Sequence, residues 1–445
     1  MKFIKINKDF TVFKSTLFKD SFWALSGNAI GKSLALIASI VIARLLGKDI
    51  FGMYGLIRTT LLSVAVFSTF GLGYTATKFV AEYVKYQPNR IPAITRNIMQ
   101  ITIITALVFA LLLFIFCKQI ATYLEASVLY NAIRYLAVIV IFNSITTTQV
   151  SILAGFKKFK TVAHINLING IFMFVCSVTL TYYFGLSGAL LALLLAQILN
   201  CAQNYIEVRK NVKSLNIKSE DKKYSIKKEL ITFSLPIALQ EMQYSIFGWI
   251  TPILLAKFSN FGEVGIYNAT QQWSSVILFI PGALRNVILS HISSTTDNHK
   301  QQVKILKRML LINFLATFIP FIVVFIFSGF IEKMYGKSFV SLKTVLNVSV
   351  FTTIFSCMST VFYQYFLAIN KVWISFWCRL GMSVVVIVLF IGIMKLTGGG
   401  GSSALHMAQS TVITQIFFFV FLSCLFIYFE QRNRLLYGVK KNNAY

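Results

Sequence analysis

Acidic residues are scarce in this 445-residue chain: 14 Asp and Glu stand against 42 Lys and Arg, a formal net charge of +28. Charge of either sign is thin, at 13% of residues, against 57% hydrophobic and 15% aromatic residues and a mean hydropathy of +0.73. That balance excludes a soluble globular domain, in which about 25% of residues are charged. A membrane glycosyltransferase or polymerase needs a constellation of catalytic acids or a large polar loop, and neither is present. The four histidines, His164, His291, His299 and His406, form no HExxH pattern or His/Cys cluster, so no metal site is expected. The six cysteines lack CxxC spacing and sit in or beside apolar runs, where they read as small packing residues.

Long apolar runs are abundant. They recur at about 21–46, 53–81, 97–117, 128–153, 161–184, 187–208, 229–257, 264–293, 307–330, 343–369, 373–396 and 402–429, each long enough to cross a ~30 Å hydrocarbon core as a helix. The strands of a membrane barrel would be roughly ten-residue alternating segments, which these are not. The expectation is an all-α integral membrane protein with twelve transmembrane helices. Lys and Arg are retained on the cytoplasmic side during insertion. Placing both termini inside puts 29 basic residues in cytoplasmic segments, 8 on the other side and 5 within spans. The net charge then reflects topology and attraction to anionic lipid, not nucleic-acid binding. The basic N-terminal arm, with Phe3, Ile4, Ile6, Phe10 and Phe13 among its lysines, either lies on the membrane surface or simply fixes this topology.

The longest polar interruption, around Arg209–Lys228, divides the chain into an N-terminal six-helix lobe (1–210), a cytoplasmic linker (211–226) and a C-terminal six-helix lobe (227–445). A shift of 213 positions lays Ala43-Arg44 on Ala256-Lys257 and Gly52-Met53-Tyr54 on Gly265-Ile266-Tyr267. A shift of 214 lays Leu153-Ala154 and Lys157 on Leu367-Ala368 and Lys371. Six spans per half return the chain to the same side, so the halves form a parallel repeat related by a pseudo-two-fold axis along the membrane normal. A ligand cavity is expected where two such lobes meet.

Five basic residues, Lys32, Arg58, Arg134, Arg285 and Arg379, lie inside the expected spans, with Glu241 alone among the acids comparably deep. Facing lipid at ~3 kcal/mol each, they would cost about 15 kcal/mol, as much as a domain's whole stability. They are therefore expected to face a wet interior and an anionic cargo. Lys32 shares a helical stripe with Asn28, Ala35 and Ser39, Glu241 with Tyr244 and Gly248, and Arg285 with Gln271, Ser275 and Gly282, so Lys32, Arg285, Glu241, Asn28 and Gln271 are the central-cavity candidates. The alternative is an ion pair of Glu241 with Lys32 or Arg285 that locks the lobes; one acid cannot neutralise both cations. Arg58 and Arg134, within two turns of the outer span ends, either line an outer vestibule or snorkel to the interface, and Arg379 beside Trp373 and Trp377 reads as an interface anchor. Ser26 to Ser33 nearly matches the phosphate-cradling GxxxxGK[ST] loop, but it lies in a membrane span, where Gly27 and Gly31 permit close helix packing. Gln240, Gln243, Asn268, Gln272, Trp249 and Trp273 either meet sugars or bond and anchor neighbouring helices. Pro252 and Pro281 remove backbone bonds from the seventh and eighth spans and are candidate hinges.

Several runs carry a resemblance: Ala43-Arg44-Leu45-Leu46-Gly47-Lys48-Asp49-Ile50-Phe51-Gly52-Met53-Tyr54, then Phe70-Gly71-Leu72-Gly73 leading to Thr77–Tyr83, then Leu153–Lys160, and Phe233-Ser234-Leu235-Pro236. In order and placement they resemble polysaccharide and O-antigen repeat-unit (Wzx-like) flippases of the multidrug/oligosaccharidyl-lipid/polysaccharide superfamily, over essentially the whole chain. The resemblance implies a flippase, not an enzyme, in a bacterial cytoplasmic membrane. Its cargo would be an undecaprenyl-diphosphate-linked oligosaccharide moved from the inner to the outer leaflet by alternating access, with a polysaccharide polymerase and glycosyltransferases as pathway partners. No cofactor is implied; coupling to a proton, a sodium ion or the membrane potential stays open. A cation-coupled multidrug exporter of the same superfamily is a rival, although such exporters carry more intramembrane carboxylates. A lipid II flippase is another, usually with fourteen spans.

Overall fold

The computed structural model describes residues 7–123, 129–215, 227–282, 299–369, 371–397 and 401–442. These residues are almost wholly helical and contain no strand. They fall into two compact units, Met1–Lys257 and Phe258–Tyr445. The first holds α1 (Asn7–Thr69), α2 (Leu72–Tyr86), a 3-10 turn (Pro88–Arg90), α3 (Ile91–Tyr123), α4 (Leu129–Gly155), α5 (Phe159–Lys213) and all but the last residue of α6 (Lys227–Phe258). The second holds α7 (Phe261–Ile277), α8 (His299–Tyr335), α9 (Leu342–Ala368), α10 (Val372–Leu396) and α11 (Ser403–Asn442). The division thus falls after α6, whereas the charged linker pointed to 211–226; most of that linker lies outside the described residues.

Two helices are too long for one crossing. At 1.5 Å per residue the 63 residues of α1 would reach ~95 Å, but Gly47 breaks it with φ 72°, ψ 168°. Gly185 breaks the 55-residue α5 with φ 56°, ψ −133°. Both conformations are costly for residues with a Cβ. The two arms of α5 close on each other so tightly that a Cβ at Gly188 would run into the Leu180 carbonyl, eight residues back. The expected second span, 53–81, is also divided. Phe70 (φ 49°) and Gly71 (φ 67°) separate α1 from α2, and a Cβ on Gly71 would stand 2.8 Å from the Ser234 carbonyl oxygen of α6. The corresponding eighth span, 264–293, stops being regular at Ile277, and 283–298 lie outside the described residues. Eight described helices, Ala29–Thr69 and Phe159–Lys213 among them, are long and apolar enough to cross a membrane.

The internal repeat is visible in the helix bounds. α4 and α9 end at Gly155 and Ala368, 213 residues apart. α5 and α10 begin at Phe159 and Val372, again 213 apart.

Each unit has its own core. In the first, Leu72, Ala76 and Val80 form one face of α2 and pack with Ile91, Ile94 and Ile98 of α3, Ile152 of α4 and Leu230 of α6, nearly all fully buried. In the second, Phe418, Leu422 and Phe426 of α11 pack on Val361, Tyr365 and Phe366 of α9. The opposite faces are apolar too: Ile104, Leu107, Leu111 and Ile115 of α3 are half exposed or more. In water such a stripe would be an association site; on a chain of membrane-crossing helices it faces lipid.

Candidate functional site

The first unit contains two cavities of opposite character. One, of about 190 Å³, lies where both arms of α1, both arms of α5 and α4 converge. Its polar lining comprises Ser39, Tyr54, Arg58, Asn143, Asn169 and Gln197. Arg58 is half-buried and stands eleven residues past the Gly47 break, about 16 Å along its arm. The Ser39 hydroxyl and the side-chain carbonyl oxygens of Asn169 and Gln197 are buried there without a hydrogen-bond partner. The stripe Asn28–Lys32–Ala35–Ser39 read from the sequence does reach this cavity through Ala35 and Ser39.

The second cavity, of about 750 Å³, is walled by apolar side chains: Val64 of α1, Phe109, Leu113 and Phe116 of α3, and Ile250 and Ile253 of α6. Trp249 also lines it, and its indole Nε1 donates to the Thr60 hydroxyl at 2.9 Å. With the Ser63 hydroxyl donating to the Ser245 carbonyl at 3.3 Å and a Thr75–Ser234 hydroxyl bond of 2.7 Å, this fastens α6 to α1 and α2. Trp249 is thus an inter-helix tie.

Other candidates are placed as follows. Lys32 is exposed on α1; Asn28 is one turn earlier, its side chain outside the described set. Glu241 is half-buried on α6. Space is open around Gly248 on the same stripe. Gln271 is half-buried in α7, one residue from Gln272, whose buried side-chain oxygen has no partner. Arg285 lies outside the described residues. Arg134 is exposed, its guanidinium 4.9 Å from the Phe114 ring centre and 5.5 Å from that of Tyr130. Arg379 sits 4.4 Å over the Tyr363 ring, beside exposed Trp373 and Trp377. Gly31 packs α1 on α5, with its Cα 3.6 Å from where a Cβ of Gly170 would stand. α6 runs on through Pro252, whereas α7 ends at Ile277 with a turn at Leu278, four and three residues before Pro281. Among the described residues no group of His, Cys, Asp and Glu is arranged to hold a metal.

Asn143, Asn169 and Gln197 are absent from the sequence candidates. Each sits among other polar residues of its span, Asn143 before Ser144 and Thr146, Asn169 after Asn166 and Gln197 before Asn200, so none stands out locally, although an amide within a span is costly unless something polar faces it.

Comparisons with known proteins place this architecture. Over 93% of this chain and 99% of the other, the fold matches an inward-facing multidrug resistance MATE family transporter of the MOP superfamily, with a TM-score of 0.73 at 13% identity. The lipid II flippase MurJ in an inward closed conformation matches over 89% and 85%, with a TM-score of 0.70 at 15% identity. A candidate O-antigen transporter of Shigella flexneri is 22% identical over 364 residues, 80% of this chain and 86% of that protein. An uncharacterized membrane protein of Methanocaldococcus jannaschii is 24% identical over 292 residues, 63% and 69% of the two chains. The relatives and neighbours with a named activity are transporters and flippases, not enzymes. Residues 17–283, more than half of the chain, match the polysaccharide biosynthesis protein family, and the chain belongs to that family.

Proposed function

We propose that this chain is a flippase carrying an undecaprenyl-diphosphate-linked oligosaccharide from the cytoplasmic to the outer leaflet of a bacterial cytoplasmic membrane, by alternating access. The observation that carries the reading is the surplus of cations among the residues deep in the expected spans, five basic residues to one comparably deep acid. A multidrug exporter for cationic compounds would need the reverse. Family membership and the Shigella relative point the same way.

Lys32 and Arg285, one from each half of the chain, meet the diphosphate, Lys as a point charge and Arg through its planar fork. Asn28 and Gln271 supply neutral hydrogen bonds, and Arg134 meets the cargo at the vestibule. Glu241 either partners a cation or exchanges a proton or sodium ion. With both termini cytoplasmic and the inside negative, moving about two negative charges outward is favoured by ~4.6 kcal/mol per 100 mV.

The test is export. A deletion strain is expected to accumulate the lipid-linked oligosaccharide on the cytoplasmic leaflet, and Lys32→Ala and Arg285→Ala, expressed at wild-type level, are expected to restore export poorly. Full restoration by both variants rules out the cation-lined path. Unchanged polysaccharide with altered drug resistance in the deletion strain rules out the cargo class.

A further inference from the structure

We propose that the apolar cavity between α1, α3 and α6 holds the acyl chains of one membrane phospholipid, with its phosphate at Gln119 and Lys118 on the rim. The walls decide against water. Among the described residues the lining is pure hydrocarbon apart from Gln119 and Trp249, and the Trp249 N–H is already given to Thr60. A water needs about two to four polar partners, so a cavity of this kind stays dry and takes apolar guests. Left empty, its walls would lose their dispersion contacts outright.

Hydrocarbon reaches the cavity from the bilayer. At about 100° per residue around α3, the lining residues Phe109, Leu112, Leu113 and Phe116 form a stripe beside the lipid-facing one of Leu107, Val108, Leu111 and Ile115. The two stripes meet where Leu112 follows Val108 by one turn. Leu112 and Phe116 line the cavity and are still 42% and 48% exposed, so it is a side pocket of the lipid-facing surface.

The size sets the class. An apolar cavity of roughly 150 Å³ takes one benzene, so one of about 750 Å³ takes on the order of thirty carbons. That matches the two chains of a common phospholipid, whereas the much longer undecaprenyl chain does not fit whole. The rim supplies the polar end. Gln119 lines the cavity three residues past Phe116 and four before α3 ends at Tyr123; Lys118 is beside it, and both are exposed. An amide donor and a basic side chain at the mouth of a hydrocarbon pocket suit a phosphodiester above its two chains. The bound lipid completes the packing of α6 beside the Trp249–Thr60 bond, and its binding does not rest on the proposed cargo.

Purified full-length protein is washed in detergent and weighed by native mass spectrometry. One phospholipid per chain is expected to survive washing that removes the rest. Val64→Phe, which fills the cavity, is expected to lose it, and Leu111→Phe, on the lipid-facing stripe, to keep it. A second measurement leaves the cavity intact: in a variant whose only tryptophan is Trp249, one equivalent of phosphatidylglycerol brominated in its acyl chains is expected to quench most of the indole fluorescence, and the unbrominated lipid to leave it unchanged. If Val64→Phe does not fold, this quenching decides. No retained phospholipid, no quenching at one equivalent, a lipid held by Val64→Phe as by the wild type, or a prenyl-linked lipid in its place each overturns the proposal.

Discussion

The indole Nε1 of Trp249 donates to the hydroxyl of Thr60 at 2.9 Å, across 189 residues of sequence. Thr60 is buried and also returns its own hydroxyl proton to the Leu56 carbonyl at 2.8 Å, so its lone pair is aimed at α6. This bond stands beside the apolar cavity and helps to hold α6 on α1.

Removing it from either side should therefore loosen α6. Thr60→Val leaves the indole N–H without its acceptor, at a cost of ~1–3 kcal/mol, whereas Trp249→Phe removes the donor and some packing. The double variant should cost less than the sum of the singles by about 1 kcal/mol. The readout is the unfolding rate in detergent, since helical membrane proteins rarely unfold reversibly. Strict additivity would show that the pair carries no coupling.

Glycine positions give a sharper contrast. Gly188 has no room for a Cβ, because the Leu180 carbonyl on the other arm of α5 fills the space. Gly188→Ala should force those arms apart, with a loss of ~3 kcal/mol or more, since overpacking costs 1–3 kcal/mol even where side chains can yield and here the obstacle is backbone. Gly248 lies on α6 with nothing within 4 Å of where a Cβ would stand. Gly248→Ala should be neutral or stabilising by up to ~1 kcal/mol, the helix-propensity difference. Expression level and thermal midpoint decide. Equal behaviour of the two variants would contradict the folded-back geometry of α5.

What the sequence shows and hides follows from the range of each signal. Span positions are legible because a ~30 Å hydrocarbon core imposes about twenty apolar residues on every crossing. The half-repeat is legible in Gly52–Tyr54 and Gly265–Tyr267, and the ends of α4 and α9 stand at the same offset of 213. The break at Phe70–Gly71 is hidden, because apolar residues continue through it and the cause is α6, whose Ser234 carbonyl approaches Gly71 from 163 residues away. The cavity beside Arg58 is hidden for a similar reason, since the residues that share it are far away in sequence. Its amide neighbours come from α4 and α5, and no local pattern links position 58 to 143, 169 and 197.

Proline placement leads to a prediction about motion. A proline has no N–H, so residue 281 cannot bond back to the Ile277 carbonyl, and α7 ends there with a turn at Leu278. Helical backbone resumes at once: the Gly282 N–H donates to the Leu278 carbonyl at 2.9 Å. The segment is a helix with one joint, and space is open around Gly282. In α6 the ring of Pro252 likewise denies a donor to the Gly248 carbonyl, yet the helix runs on unbroken to Phe258. Of the two, Pro281 is at a joint that already exists. Pro281→Ala supplies the missing N–H, and the gain in helix propensity, up to ~3 kcal/mol, favours a straight α7. If bending at this joint is part of the transport cycle, that variant should be at least as stable as the wild type and export polysaccharide several-fold more slowly, with Pro252→Ala affected less. Export at the wild-type rate by a stable, well-expressed Pro281→Ala protein would remove the joint from the mechanism.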